Sequence, residues 1–111
     1  MATIVGSTTQ SLSSVTSGTA VDISAADNLS VQIDGTFVAT WAFQVSLDGT
    51  FWQNFGMHST SNATATNDVT NATVVGFFNK PCTGIKYFRP TLTAYTSGTV
   101  NFRINETMLE K

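Results

Sequence analysis

Charge is scarce in this 111-residue chain: Asp, Glu, Lys and Arg make up 11% of it, against about 25% in ordinary proteins. Five Lys and Arg stand against seven Asp and Glu, for a net charge of −2. There is no basic stripe to hold phosphates and no acidic run to mimic them, so nucleic acid is not an expected partner. Cys82 is the one cysteine, which excludes an internal disulfide, suits a reducing compartment and reads as a buried, inert thiol. No window approaches the ~20 apolar residues of a membrane-spanning helix, so no membrane partner is expected. The opening "MATIVGSTTQ" lacks a charged n-region and an apolar run. The chain is therefore expected to start at or near Ala2 and to be made in a cytoplasm.

Catalytic groups are equally sparse. Nucleophilic catalysis needs a base beside the nucleophile, and the sole histidine, His58, lies in the polar stretch "MHSTS" with no G-x-S-x-G elbow anywhere. Asp34, Asp48 and Asp68 could supply paired carboxylates, but Asp34 and Asp48 stand at turns, where aspartate serves its own backbone. No Cys/His cluster and no calcium-loop spacing occur. The segment "SLDGTFW" is one residue short of the S-x-D-x-G-x-x-W box of propellers, and it occurs once where propellers repeat it. Four N-x-[ST] sequons, at Asn28, Asn62, Asn71 and Asn105, reflect a Thr-rich composition without a secretory signal. The expectation is a non-enzyme with no cofactor and no metal.

Ser, Thr, Asn and Gly fill the space that charge leaves. This composition disfavours helix, because Thr and Val lose rotamer freedom there and Ser and Asn bond their own backbone. The expected fold is all-β, an antiparallel β-sandwich or jelly roll in a single domain. Residues 1–19 read as a polar N-terminal arm or edge strand, with Leu12 and Val15 the large apolar groups of the Ser/Thr-rich stretch 7–19, and 20–111 as the sandwich domain. Period-two alternation marks strands at Val21 and Ile23, at Leu29, Val31 and Ile33, and at Trp41, Phe43, Val45 and Leu47. Residues 56–71 have no periodicity and read as a long polar loop. A further strand is expected at 73–78, a loop at 79–84 around Pro81 and Gly84, and a final hairpin from 85–95 and 99–105.

Two registers can be worked out. With Asp48-Gly49 as a two-residue turn, Val45 pairs with Trp52 and Gln44 with Gln53, which puts Trp52 in the core with Trp41 and turns Phe51 outward. In the last hairpin, Ala94 opposite Val100 leaves a three-residue loop ending at Gly98, the residue suited to positive φ. Phe88, Leu92, Ala94, Val100, Phe102 and Ile104 then share the dry face. Arg89, Thr91, Thr93, Asn101 and Arg103 share the wet one, and Tyr87 and Tyr95 lie exposed. Pro90 cannot donate to a ladder, so its strand is at an edge or bulged there.

"DGTFVATWAFQVSLDGTFWQNF" and, further on, "GIKYFRPTLTAYTSGTVNFRI" resemble small virion structural proteins of tailed bacteriophages. Many such chains carry a G-T-W/F…F-x-x-S-x-D-G-x-x-W segment and a later Y-x-R-x-x-x-T-A-Y-T-S-G-T-V-x-V/F segment. The match runs through Gly35, Thr36, Trp41, Phe43, Ser46, Asp48, Gly49 and Trp52. It resumes at Tyr87 and Arg89 and continues from Thr93 through Ala94, Tyr95, Thr96, Ser97, Gly98 and Thr99 to Val100. It covers under half the chain, and Pro90 departs from it where a β-branched residue is usual. The resemblance implies a sandwich displayed on a virion that is assembled in the host cytoplasm. Capsid decoration, or cement, is the first choice and a tail or fibre component the second. The expected partners are the major capsid protein of the same virion and further copies of the chain, a trimer by preference. Outward rings near one another more often mark an interface, so Phe51, Tyr87 and Tyr95, with Arg89 and Arg103, are the candidates for contact either between protomers or with the capsid protein. A carbohydrate-binding module with Phe51 or Tyr95 as the stacking platform is the reading from another class.

Overall fold

A computed structural model describes residues 2–59, 69 and 71–109. The fold is an all-β sandwich of two antiparallel sheets, with ten strands among the described residues. These are β1 (Ala2–Leu12), β2 (Val21–Asp22), β3 (Asn28–Asp34), β4 (Phe37–Ser46), β5 (Gln53–Asn54), β6 (His58–Ser59), β7 (Asn71–Ala72), β8 (Gly76–Pro81), β9 (Tyr87–Gly98) and β10 (Val100–Leu109). The first sheet runs β1-β10-β3-β8-β6; the second runs β2-β9-β4-β5, with β7 also paired to β4. The N-terminal segment is an edge strand of the first sheet, paired along β10 from Ala2 opposite Leu109 to Leu12 opposite Val100, with a bulge at Val5.

Alternation explains the interior. Leu29, Val31 and Ile33 of β3, Trp41 and Phe43 of β4, Phe88 and Leu92 of β9, and Val100, Phe102 and Ile104 of β10 are all buried. Four rings form the centre: Trp41 lies 4.8 Å from Phe43 and 5.0 Å from Phe78, and Phe43 lies 5.8 Å from Phe88. Tilted and edge-on arrangements at such separations suit the ring quadrupoles. The indole N–H of Trp41 donates to the Val74 carbonyl at 2.9 Å, so its polar atom is satisfied inside.

The expected final hairpin does not form, because β9 and β10 belong to different sheets. Two corners make the crossing. At Gly35-Thr36 the chain passes from the first sheet to the second, and at Gly98-Thr99 it passes back, with the Thr99 amide donating to the Thr36 carbonyl at 3.1 Å. Gly35 (φ +109°) and Gly98 (φ +88°) are both in the left-handed region. A Cβ on Gly35 would collide with the Thr99 carbonyl, and one on Gly98 with the Thr36 carbonyl. Each corner therefore needs its own glycine because the other corner presses on it. The apolar residues of β9 and β10 meet face to face across the sandwich instead of side by side, which satisfies the same alternation. For the same reason Arg89 and Arg103 lie on opposite outer faces.

Local slips account for the other departures. The pairing of β4 with β9 shifts between Thr40 and Trp41, and a one-residue shift exchanges faces. Ala94, expected inside, is exposed, while Tyr95, expected on the wet face, packs against the core. Leu47 lies beyond the end of β4 and is 69% exposed. The strand expected at 73–78 begins at Gly76 and continues through Pro81, which pairs with Asn28. Within 56–71, Met57 is fully buried and bridges Val69, and β6 and β7 add short pairs. Most of that stretch, with Asn62 and Asp68, lies outside the described residues.

Candidate interaction surface

The loop after β4 is built on two short side chains. Ser46 Oγ accepts from the amides of Asp48 at 3.2 Å and Gly49 at 2.8 Å, and donates to Asp48 Oδ1 at 2.9 Å. Asp48 Oδ1 in turn accepts from the amides of Thr50 at 2.8 Å and Phe51 at 3.0 Å. Side chains here satisfy backbone groups that a two-residue hairpin would pair with each other. These bonds, the Phe51 amide first, hold the Asp48 carboxyl below its usual range. Gly49 takes φ +81° above the ring of Tyr87, where a Cβ would stand 3.3 Å from the nearest ring carbon.

The longer loop moves the register by one. Val45 pairs with Gln53 and Gln44 with Asn54, so Trp52 does not enter the core as its expected pairing with Val45 required. It is half-buried on the outer face of the second sheet, with the Arg89 guanidinium 4.1 Å from its ring centroid. Arg89 Nε also donates to Gln44 Oε1 at 2.9 Å, and burial lowers the guanidinium pKa.

Phe51 is 78% exposed, facing outward as the sequence suggested. It borders an open groove of about 330 Å³ with Val45, Leu47, Gln53 and Ile85. Tyr87, expected to be exposed, is half-buried beside Gly49, with Lys86 Nζ 5.4 Å from its ring centroid. This end of the sandwich thus brings together Phe51, Tyr87 and, two residues along β9, Arg89. Tyr95 is at the other end, where its hydroxyl donates to the Gly98 carbonyl at 2.9 Å. Arg103 lies on the first sheet's outer face, its Nε 2.7 Å from Asp34 Oδ2. That bond, with a second from Asn101, lowers the Asp34 pKa. Leu47 and Ile85 were missed as groove residues: alternation assigned Leu47 to the core, and Ile85, half-buried against the core, carried no signal.

Cys82 is buried, and burial, then the charges of Asp27 and Glu106, push its thiol up to about 11. His58 is exposed opposite Asn79. Among the described residues no group of three His, Cys, Asp or Glu side chains could hold a metal ion.

No protein-family model matches the sequence, and no curated protein matches it. The fold is similar to the crystal structure of the SPBc2 prophage-derived protein YomS, with a TM-score of 0.80 over 95% of this chain and 94% of that one. Sequence identity is 11%, so the likeness is one of fold, sustained over nearly the whole of both chains.

Proposed function

We propose that this chain is a non-enzymatic virion structural protein of a tailed phage, a capsid decoration protein that binds the major capsid protein and stabilises the head. The observation that carries this reading is the Phe51 end of the sandwich. A rigid loop, bonded internally through Ser46 and Asp48, presents Phe51 and Leu47 beside an apolar groove on an otherwise weakly charged body. Neighbouring exposed apolar groups mark interaction surfaces more often than isolated ones do. The sandwich likeness to a prophage-derived protein supports a phage origin, and the matched segments named above include this loop. The patch is covered either against the capsid protein or between protomers of a closed homo-oligomer, the common means of covering such a surface, with a trimer as the proposed form. Binding repeated over a capsid lattice gains strength from copy number, so each contact can be small.

Head stability is the test. Expanded capsids assembled from the major capsid protein encoded alongside this chain should withstand a higher temperature when saturated with the purified protein. Capsids that disrupt at the same temperature with and without it would contradict the reading.

A further inference from the structure

The outer face of the first sheet is a plate of hydroxyls and amides arranged in cross-strand rows. One row runs Ser7, Asn105, Ser30, Asn79 and His58 across β1, β10, β3, β8 and β6. The next runs Thr9, Arg103, Gln32 and Phe77 across β1, β10, β3 and β8. Bonds within the plate fix its amides: Ser7 Oγ donates to Asn105 Oδ1 at 2.8 Å, and Asn79 Nδ2 to Ser30 Oγ at 2.9 Å. Among the described residues, these bonds engage Asn105 through Oδ1 and Asn79 through Nδ2, and turn the opposite atom of each amide to a ligand. Arg103 likewise gives Nε to Asp34 and keeps its terminal amino groups. Phe77, an aromatic residue amid these polar neighbours, is 52% exposed. It borders a shallow depression of about 200 Å³ with Ser30, Gln32, Asn79, Arg103 and Asn105.

We infer that this depression is a binding site for a neutral polysaccharide, with a sugar ring stacked on Phe77 and its hydroxyls held by Gln32, Asn79, Asn105 and Arg103. Sugars offer an apolar C–H face and a rim of adjacent hydroxyls that both donate and accept. An aromatic ring flanked by oriented amides complements both features. The strands that carry these groups are paired on both sides, so little ordering is required on binding. Charge decides which glycans fit. Asp34 neutralises the Arg103 guanidinium, so an anionic chain would gain no net charge attraction from the pair, whereas a neutral sugar can still bond to the terminal amino groups. This site is separate from the Phe51 groove and does not rest on the capsid reading.

Affinity electrophoresis in native gels cast with neutral polymers (a β-glucan, an α-glucan, a xylan, a mannan) or with heparin is the experiment. At least one neutral polymer should retard the wild-type protein, and heparin should not. Phe77→Ala should weaken binding about tenfold and Gln32→Ala about threefold, while Val15→Ala on the exposed N-terminal segment should migrate as wild type. Titration of the wild-type protein with the matching hexasaccharide provides a check that needs no variant. Amide NMR signals of Gln32, Phe77 and Asn105 should shift, and that of Gly49 should not. Absence of retardation by every neutral polymer, preference for heparin, or full binding by a folded Phe77→Ala protein would overturn the inference.

Discussion

Trp41 is enclosed by Phe43 and Phe78 and gives its N–H to Val74, so Trp41→Ala should cost about 3–5 kcal/mol, as large-to-small core changes do. Trp52 is half-buried under Arg89, and Trp52→Ala should cost only about 1–2 kcal/mol, of which the cation–π contact supplies roughly 0.5–1. Equal losses for the two in urea melts would mean that the β4–β5 register is wrong. Glu106 makes a different case. It follows Phe102 and Ile104 in the inward set and is 8% exposed, and burial, then the charge of Asp22, raise its carboxyl above the ordinary 4.5. An acid whose folded pKa is raised stabilises the fold below its unfolded pKa and loses that contribution as pH rises through the folded value. Glu106→Gln should therefore raise the melting temperature at neutral pH and leave it nearly unchanged at a pH of about 4. No gain at neutral pH would show that the carboxylate is well solvated. With its thiol pushed up to about 11 and its side chain enclosed, Cys82 should resist iodoacetamide at mildly alkaline pH until the protein is unfolded; rapid labelling of the native protein would contradict the burial.

At the scale of elements, the paired corners at Gly35-Thr36 and Gly98-Thr99 hold the two sheets in register at one end. Gly98→Ala places a Cβ against the Thr36 carbonyl at positive φ, and neither backbone can retreat without moving the other. The variant should melt well below wild type or fail to accumulate as soluble protein, whereas Gly84→Ala, also at positive φ but with open space around its Cβ, should be milder. Equal melting temperatures for the two would refute the interlock. These corners also mark the limit of sequence reading. Alternation identified β3, most of β4 and the inward residues of β10, because one face of each is dry. It could not say whether β9 and β10 pair edge to edge or oppose each other across the core, since both arrangements bury Phe88, Leu92, Val100, Phe102 and Ile104. The slips at Thr40/Trp41 and at the Asp48 loop were hidden for a related reason. A bulge, or a turn closed by Ser46 and Asp48, changes which residues face inward without changing composition. Met57 carried no periodicity because it enters the core from an isolated bridge. The candidate site was legible where it depends on a single outward residue, Phe51. It was not legible where it depends on the sandwich crossing, which separates Arg89 from Arg103.

For the whole molecule, the sandwich carries its polar plate on one broad face and its exposed apolar groove at one end, so two contacts can be made without competing. Light scattering coupled to size exclusion, at tens of micromolar, decides which partner covers Phe51: a trimer that dissociates on Phe51→Ser means that protomers cover it, and a wild-type monomer means that the capsid protein does. Phe51 is 78% exposed in the single chain, so the substitution should leave the protomer's own fold, read by circular dichroism, unchanged. The central claim, that the protein docks on a capsid through an interface that needs Phe51, is tested most directly by co-sedimentation of wild-type and Phe51→Ser proteins with expanded capsids. Saturable pelleting of the wild-type protein, with an apparent affinity about tenfold weaker for the variant, is the predicted result. Wild-type protein left in the supernatant at every concentration, or two proteins that pellet alike, would contradict it.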